Sequence, residues 1–137
     1  MNKDIITIIE QSTQESFKET GSFPERVKTL IDAGIERYYA DLIGRQTTYY
    51  ATDGSMHTSK MPYPNPPIRG SIFSERDVIE ALRTIQRGEI SYSEFLNRII
   101  KGGTVNYTVF LLGKQVHYVG AKGEIYIERF PGQKQND

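Results

Sequence analysis

His57 is one of two histidines in the chain, and histidine is the side chain best suited to acid–base chemistry near neutral pH. If each hairpin has a two-residue turn, His57 lies across from Tyr50, with Tyr39 one strand further. A hydrogen-bonded partner fixes the tautomer of an imidazole, so this row could orient His57 as a general acid or base. The alternative is a packing row around a partly satisfied histidine.

His117 is the second histidine, and the same register places it opposite Glu128, with Phe110 on the next strand. A carboxylate beside an imidazole favours the imidazolium, as in part of a catalytic dyad. Cross-strand pairs of this kind also occur on ordinary sheet surfaces, where they contribute about 0.2–1 kcal/mol. Both readings stay open for His117.

A single predicted sheet face contains both histidines and several aromatic and acidic side chains. A solvated face would carry mostly Lys, Glu and Thr, so this composition indicates contact with a ligand or a protein. The candidate binding residues on it are Tyr39, Asp41, Tyr50, His57, Phe110, His117, Tyr126 and Glu128. The opposite face is predicted to be core, with Tyr38, Ala40, Leu42, Thr47, Tyr49, Met56, Thr58, Tyr107, Val109, Leu111, Val116, Tyr118, Ile125 and Ile127.

Covalent and metal-dependent catalysis find little support in the sequence. Neither Ser55 nor Ser59 lies in a G-x-S-x-G elbow, and no cysteine is present to act as a nucleophile or zinc ligand. The histidines form no H-x-H or H-x-x-x-H pair. We therefore expect no metal, no cofactor and no catalytic residue.

An internal repeat predicts the elements that position these residues. Shifted by 69 positions, residues 23–58 align with 92–127 without a gap. The identical pairs are Glu25/Glu94, Ile31/Ile100, Gly34/Gly103, Tyr38/Tyr107, Leu42/Leu111, Gly44/Gly113, Gln46/Gln115, Tyr49/Tyr118 and Gly54/Gly123. We interpret this as a tandem duplication that forms one domain, with repeats at about 1–60 and 74–131 and a proline-rich linker at 61–73.

Each repeat is predicted to contain two helices followed by a three-stranded antiparallel meander. Ser22 and Ser91 each precede a glutamate by three residues, which is the pattern of a helix-capping box. Gly34 and Gly103 are predicted to end the second helices, and Gly44-Arg45 and Gly113-Lys114 to form two-residue turns. The predicted fold is α+β, with the helices on one face of the sheet or sheets and a frayed end at 132–137.

Composition excludes several classes of protein. The 137 residues include 17 Lys and Arg against 17 Asp and Glu, so no basic surplus is available to neutralise nucleic-acid phosphates. No apolar run approaches the roughly 20 residues of a membrane span. Together with the absence of cysteine, this predicts a soluble cytoplasmic protein that binds neither nucleic acid nor a membrane.

Several short motifs resemble, in the same order, the signature of the YbcV-like family of uncharacterised bacterial proteins. They are FPE at 23–25, AGIERYYADL at 33–42, ISYSEFL at 90–96, RII at 98–100, GG at 102–103, HYVG at 117–120, GE at 123–124 and FP at 130–131. The chain departs from that pattern at Tyr126 and Arg129, where the family commonly has His and Pro. The resemblance implies an α+β fold and a "phage envelope protein" label, but no established activity.

Three functions remain. The sequence favours a non-catalytic module that binds a small molecule or peptide on the aromatic and histidine face. The first alternative is a homodimer or protein-interaction module with that face as its interface. The second is an acid–base enzyme that uses His57 or His117.

Overall fold

The computed structural model describes residues 1–131, and the predicted frayed end at 132–137 lies outside this range. The first half contains α1 (Lys3–Lys18), α2 (Phe23–Asp32), β1 (Ile35–Asp41), β2 (Gln46–Ala51) and β3 (Met56–Lys60). The second half repeats this order with α3 (Glu75–Gln86), α4 (Tyr92–Lys101), β4 (Thr104–Phe110), β5 (Gln115–Gly120) and β6 (Ile125–Arg129). The α+β class is confirmed, whereas the common origin of the halves stays a prediction.

Local sequence signals set the helix boundaries. The side chains of Ser22 and Ser91 each accept a hydrogen bond from the backbone N–H three residues later, as predicted, and Ser74 does the same at the start of α3. The second helix of each half ends just before a glycine with positive φ, which is +90° at Gly34 and +92° at Gly103. Because left-handed backbone is strained for residues with a Cβ, these glycines direct the chain from the helix into the next strand.

All six strands form one antiparallel sheet in the order β3-β2-β1-β4-β5-β6. The halves meet where β1 pairs with β4, and at the centre of this pair Tyr39 lies opposite Thr108. These two residues are equivalent under the 69-residue shift, so a pseudo-twofold axis passes between them. The four helices pack on one side of the sheet, and we call the other side the open face.

The first hairpin of each half has a four-residue loop, so the predicted two-residue turns are wrong. Asp41 pairs with Gln46, and the left-handed residue of the loop is Arg45 at φ 56°, rather than Gly44. Asp41 Oδ1 accepts the backbone N–H groups of Ile43 and Gly44, each at 3.0 Å, which stabilises the loop. The difference is an even number of residues, so the register moves without exchanging the faces of β2.

The second hairpin of each half has a three-residue loop. This difference from the predicted two-residue turn changes which face of the sheet the following side chains occupy. In the first half, Gly54 N donates to Ala51 O at 3.1 Å and Ala51 N donates to Ser55 O at 2.9 Å. Gly54 and its counterpart Gly123 have positive φ, as in a type I turn followed by a bulge. One extra residue reverses the faces of β3 and β6 relative to the prediction.

The reversal brings four predicted core residues to the open face. Met56, Ile125 and Ile127 are 55%, 48% and 40% exposed, and Thr58 is also exposed. The remainder of the predicted core is confirmed beneath the helices, where Ala40, Leu42, Val109, Leu111 and Val116 are buried. Tyrosine pairs join this core: the ring centroids lie 5.1 Å apart for Tyr38 and Tyr49 and 5.4 Å apart for Tyr107 and Tyr118.

The proline-rich segment between the halves packs into the structure. Met61 and Tyr63 are buried in the core, and the hydroxyl of Tyr63 donates a hydrogen bond to Asn97 of α4. Further along, Gly70 N donates to Ile100 O at 3.0 Å. The segment therefore fastens the two halves on the helix side as well as connecting them.

Candidate functional site

The eight predicted binding residues lie on two faces of the sheet. Tyr39, Asp41, Tyr50, Phe110 and His117 are on the open face, as expected. His57, Tyr126 and Glu128 lie on the helix side, so their predicted placement is wrong. The physical reason is the three-residue loop before β3 and before β6. The residues therefore do not form one site.

His57 pairs with Tyr49 rather than Tyr50 and points toward α1. Its Nε2 lies 3.0 Å from Glu10 Oε2, a carboxylate that is half exposed at the edge of the helical layer. When His57 is protonated, this contact is an ion pair that fastens α1 to the edge strand β3. The predicted row of His57 with Tyr50 and Tyr39 is absent, because those tyrosines occupy the other face.

Glu128 is the centre of a dense polar cluster between α3 and β6. Arg83 donates to both of its carboxylate oxygens, at 2.7 and 3.2 Å, while Gln86 donates at 3.1 Å and the Tyr126 hydroxyl at 2.7 Å. Burial alone would raise the pKa of Glu128, but the bonds from Arg83, Tyr126 and Gln86 outweigh it and lower the pKa. Burial and the bond to Glu128 raise the pKa of Tyr126 to about 12, which keeps the phenol protonated. The cluster occupies both carboxylate oxygens of Glu128 with hydrogen bonds and links the edge strand β6 to α3.

We expect Glu128→Gln to lower the free energy of unfolding at pH 7 by about 1–2 kcal/mol, because a charged hydrogen-bond acceptor is lost. A carboxyl whose pKa is lowered by folding stabilises the protein above its unfolded pKa, near 4.5, and loses that stabilisation as the pH falls through the folded value. The difference between variant and wild type should therefore shrink below about pH 4.5. Urea unfolding at several pH values measures it.

Glu94→Gln is the matched control for this prediction. Glu94 also binds an arginine, Arg98 at 2.9 Å, but both side chains are more than 40% exposed. Exposed pairs contribute little, so its loss should cost about 0.5 kcal/mol or less. Equal costs for the two variants, or a Glu128→Gln difference that grows in acid, would contradict the role given to the cluster.

His117 lies on the open face next to Phe110, with ring centroids 4.7 Å apart. Its Nε2 is 3.1 Å from Gln115 Oε1, and the residue opposite it on β6 is Ile127. The predicted pair with Glu128 is wrong, since Glu128 lies on the other side of the sheet. Burial, and then the charge of Arg129, lower the pKa of His117, so the imidazole is held neutral at pH 7.

Arg37 lies on the open face beside Tyr50 of the neighbouring strand. Its guanidinium carbon lies 4.0 Å from the centroid of the Tyr50 ring, and its Nε donates to Glu36 Oε2 at 3.0 Å. The apolar residues Met56, Ile125 and Ile127 lie toward both edges of the same face. Sequence reasoning missed these three because it assigned β3 and β6 to the wrong sides. The signal that could have found them is the glycine at the third position of each loop, which is typical of a three-residue turn.

Two cavities lie on the helix side of the sheet. One of about 300 Å³ lies between α1 and α2 and includes Glu15, Glu25 and Arg26 in its lining, and one of about 210 Å³ lies between α3 and α4. Neither is lined by any of the eight predicted binding residues. Within residues 1–131, no group of three or more metal-binding side chains is close enough to hold an ion.

A family model described as "Protein of unknown function (DUF1398)" matches residues 11–129, which include both halves and the whole sheet. The chain belongs to the DUF1398 family. Membership covers most of the chain and agrees with the resemblance at the coarser level of a family without an established activity.

Three relatives of this DUF1398 protein are themselves described as uncharacterized, one from Mycobacterium bovis and two from strains of Mycobacterium tuberculosis. Each is 26% identical over 108 residues, which cover 79% of this chain and 66% of the relative. The match thus spans just under two thirds of these relatives, and it assigns no activity. In the described part of this DUF1398 chain, none of the helices combines the length and apolar character that crossing a membrane requires.

Proposed function

We propose that this protein is a non-catalytic interaction module that binds a protein partner through the open face of its sheet. The observation that carries the proposal is the exposure of Met56, Ile125 and Ile127 on strands of that face. Large apolar side chains exposed at both edges of one surface, with aromatic residues and an arginine between them, are typical of protein interfaces. Within residues 1–131, all of the helices pack on the opposite side of the sheet.

The geometry favours an interface over the small-molecule site that the sequence favoured. A small-molecule site is usually a concave pocket with converging polar groups. The open face is a sheet surface, and three of the eight candidate residues lie behind it. Tyr39, Asp41, Tyr50, Phe110 and His117 keep a role in the proposal as interface residues.

The acid–base enzyme receives less support. His57 contacts the Glu10 carboxylate on the helix side, and His117 contacts Gln115 and Phe110 on the open face. Within residues 1–131, neither imidazole is hydrogen-bonded to a hydroxyl that could act as a nucleophile. The affiliation with YbcV-like proteins, the association with phage and the cytoplasmic location stay predictions from the sequence.

Site-specific photo-crosslinking in cells tests the proposal. A benzophenone amino acid at Met56, on the open face, should yield a discrete adduct at neutral pH. The same probe at Ile68, which is 93% exposed on the proline-rich segment, is the control and should not. Adding Ile127→Asp should abolish the Met56 adduct, because a charge buried at an interface is costly, while the fold changes by only about 1 kcal/mol. No Met56 adduct, or one that Ile127→Asp leaves unchanged, would reject the proposal.

A further inference from the structure

Regular pairing arranges the open face into three rows that run across the strands. The upper row contains Met56, Tyr50, Arg37, Phe110, Gln115 and Arg129. The middle row contains Thr58, Thr48, Tyr39, Thr108, His117 and Ile127. The lower row contains Lys60, Gln46, Asp41, Asn106, Val119 and Ile125.

Two opposite charges flank the centre of this face on the same strand. Arg37 in the upper row and Asp41 in the lower row lie on either side of Tyr39 on β1. Arg37 uses Nε to bind Glu36, and its two terminal nitrogens have no hydrogen-bond partner within residues 1–131. Asp41 uses Oδ1 for the loop, and its Oδ2, which lies beside Gly44, accepts no hydrogen bond from the described part of the chain. These two groups cannot pair with each other within one molecule, because four residues, or about 13 Å of extended strand, separate them along β1.

A second copy of the chain can pair with both charged groups if its sheet is related to the first by a twofold axis that runs along the middle row. This axis places Arg37 of each copy over Asp41 of the other, and it superposes the middle row on itself at the uncharged Tyr39 and Thr108. The remaining cations meet apolar side chains, with Lys60 over Met56 and Arg129 over Ile125. An axis along the strands would instead place Arg37 over Phe110 and form no ion pair, so charge favours the first axis.

The size of the face suits a reversible dimer. Six strands spaced about 4.8 Å apart and five residues long, at about 3.3 Å each, give a footprint of about 500 Å² per copy. The total, about 1,000 Å², is at the lower limit of specific protein interfaces. Two sheets that pack face to face lie about 10 Å apart.

We infer that the partner of the open face is a second copy of this chain, packed sheet on sheet about a twofold axis along the middle row, with Arg37 of each copy paired to Asp41 of the other. The inference rests on the proposed function and names its partner. Such an interface is isologous and therefore closes at the dimer.

Sedimentation equilibrium with charge-reversal variants tests the ion pair. Arg37→Glu and Asp41→Lys each place like charges opposite one another, and each should weaken self-association at least tenfold. An equimolar mixture restores opposite charges at both positions, so it should recover dimers near the wild-type affinity. Because Asp41→Lys also removes two loop hydrogen bonds, circular dichroism should check its fold, and Asp41→Asn, which keeps the acceptor, should weaken the dimer without repulsion.

Single-cysteine crosslinking tests the axis independently, since the chain contains no cysteine. Thr58→Cys lies on the axis of two sheets about 10 Å apart, so the two thiols of a dimer point toward each other within that gap and a short bismaleimide should join them. Gln46→Cys, in the lower row and also exposed, is the control, because its two thiols are offset by about 13 Å along the strands. Crosslinking of both variants or of neither would reject the axis.

The mass of the photo-adduct separates the two proposals. An adduct of twice the chain mass supports the dimer, whereas an adduct of another mass supports an interaction module and overturns the second copy. A wild-type protein that stays monomeric at a concentration of about 1 mM also overturns the dimer, because its dissociation constant would then be too weak for a specific interface. Absence of any adduct at Met56 rejects both.

Discussion

Gly103→Ala is expected to lower the free energy of unfolding by about 2–5 kcal/mol, while Gly34→Ala, at the equivalent position of the first half, should cost about 1–2 kcal/mol. Both glycines have left-handed backbone, so both variants incur the same strain. They differ in their surroundings. A Cβ on Gly103 would lie 2.4 Å from Ile72 O and 2.7 Å from Phe73 Cα, whereas a Cβ on Gly34 would meet nothing within 4 Å.

The excess at Gly103 measures how tightly the proline-rich segment is held. Ile72 and Phe73 belong to its end, where Ser74 N donates to Gly102 O at 2.7 Å. An alanine must displace this backbone, and the packed interior gives little room. Urea unfolding of both variants gives the two costs, and equal values would show that the segment yields without penalty.

Deletion of Thr52 is expected to destabilise the protein by about 2–4 kcal/mol, because it shortens a three-residue loop to two. Pairing across a two-residue turn would rotate β3 by one position and take Ser59 and Met61 away from the helix side, where both are buried. Lys60 would replace them against the core. Far-ultraviolet circular dichroism during denaturant titration measures the cost.

Insertion of one glycine into the same loop is the control. The longer loop can keep the observed pairing, and the extra closure entropy is about 0.6 kcal/mol or less. Comparing the deletion with the insertion tests whether the faces of β3 depend on keeping the observed strand pairing, rather than on any change in loop length. If deletion and insertion cost the same, the loop does not set the faces of β3.

Much of the fold follows from local sequence. The serine caps and the glycines at 34 and 103 place the ends of α2 and α4, and the internal match of 36 residues anticipates the repeated order of elements. Face assignment also holds for β1, β2, β4 and β5. The loops that join these strands are two residues longer than predicted. Because side chains alternate between the faces with a period of two, this difference leaves the faces unchanged.

The candidate site was less predictable, because the residues that share a face depend on whether each loop has an odd or an even number of residues. A single residue in each second loop moves His57, Tyr126 and Glu128 behind the sheet and brings Met56, Ile125 and Ile127 to its front. Glu10 and Arg83, the partners of His57 and Glu128, come from helices far along the chain, so no local pattern signals them.

Caps, glycines and periodicity act between neighbouring residues, so the class of fold, the helix ends and the alternation along each strand could be predicted from the chain. Two outcomes required the three-dimensional structure: that the halves share one sheet through β1 and β4, and which side of that sheet the helices leave uncovered. Those outcomes depend on hydrogen bonds between strands about seventy residues apart and on loops whose length sets which side chains are buried.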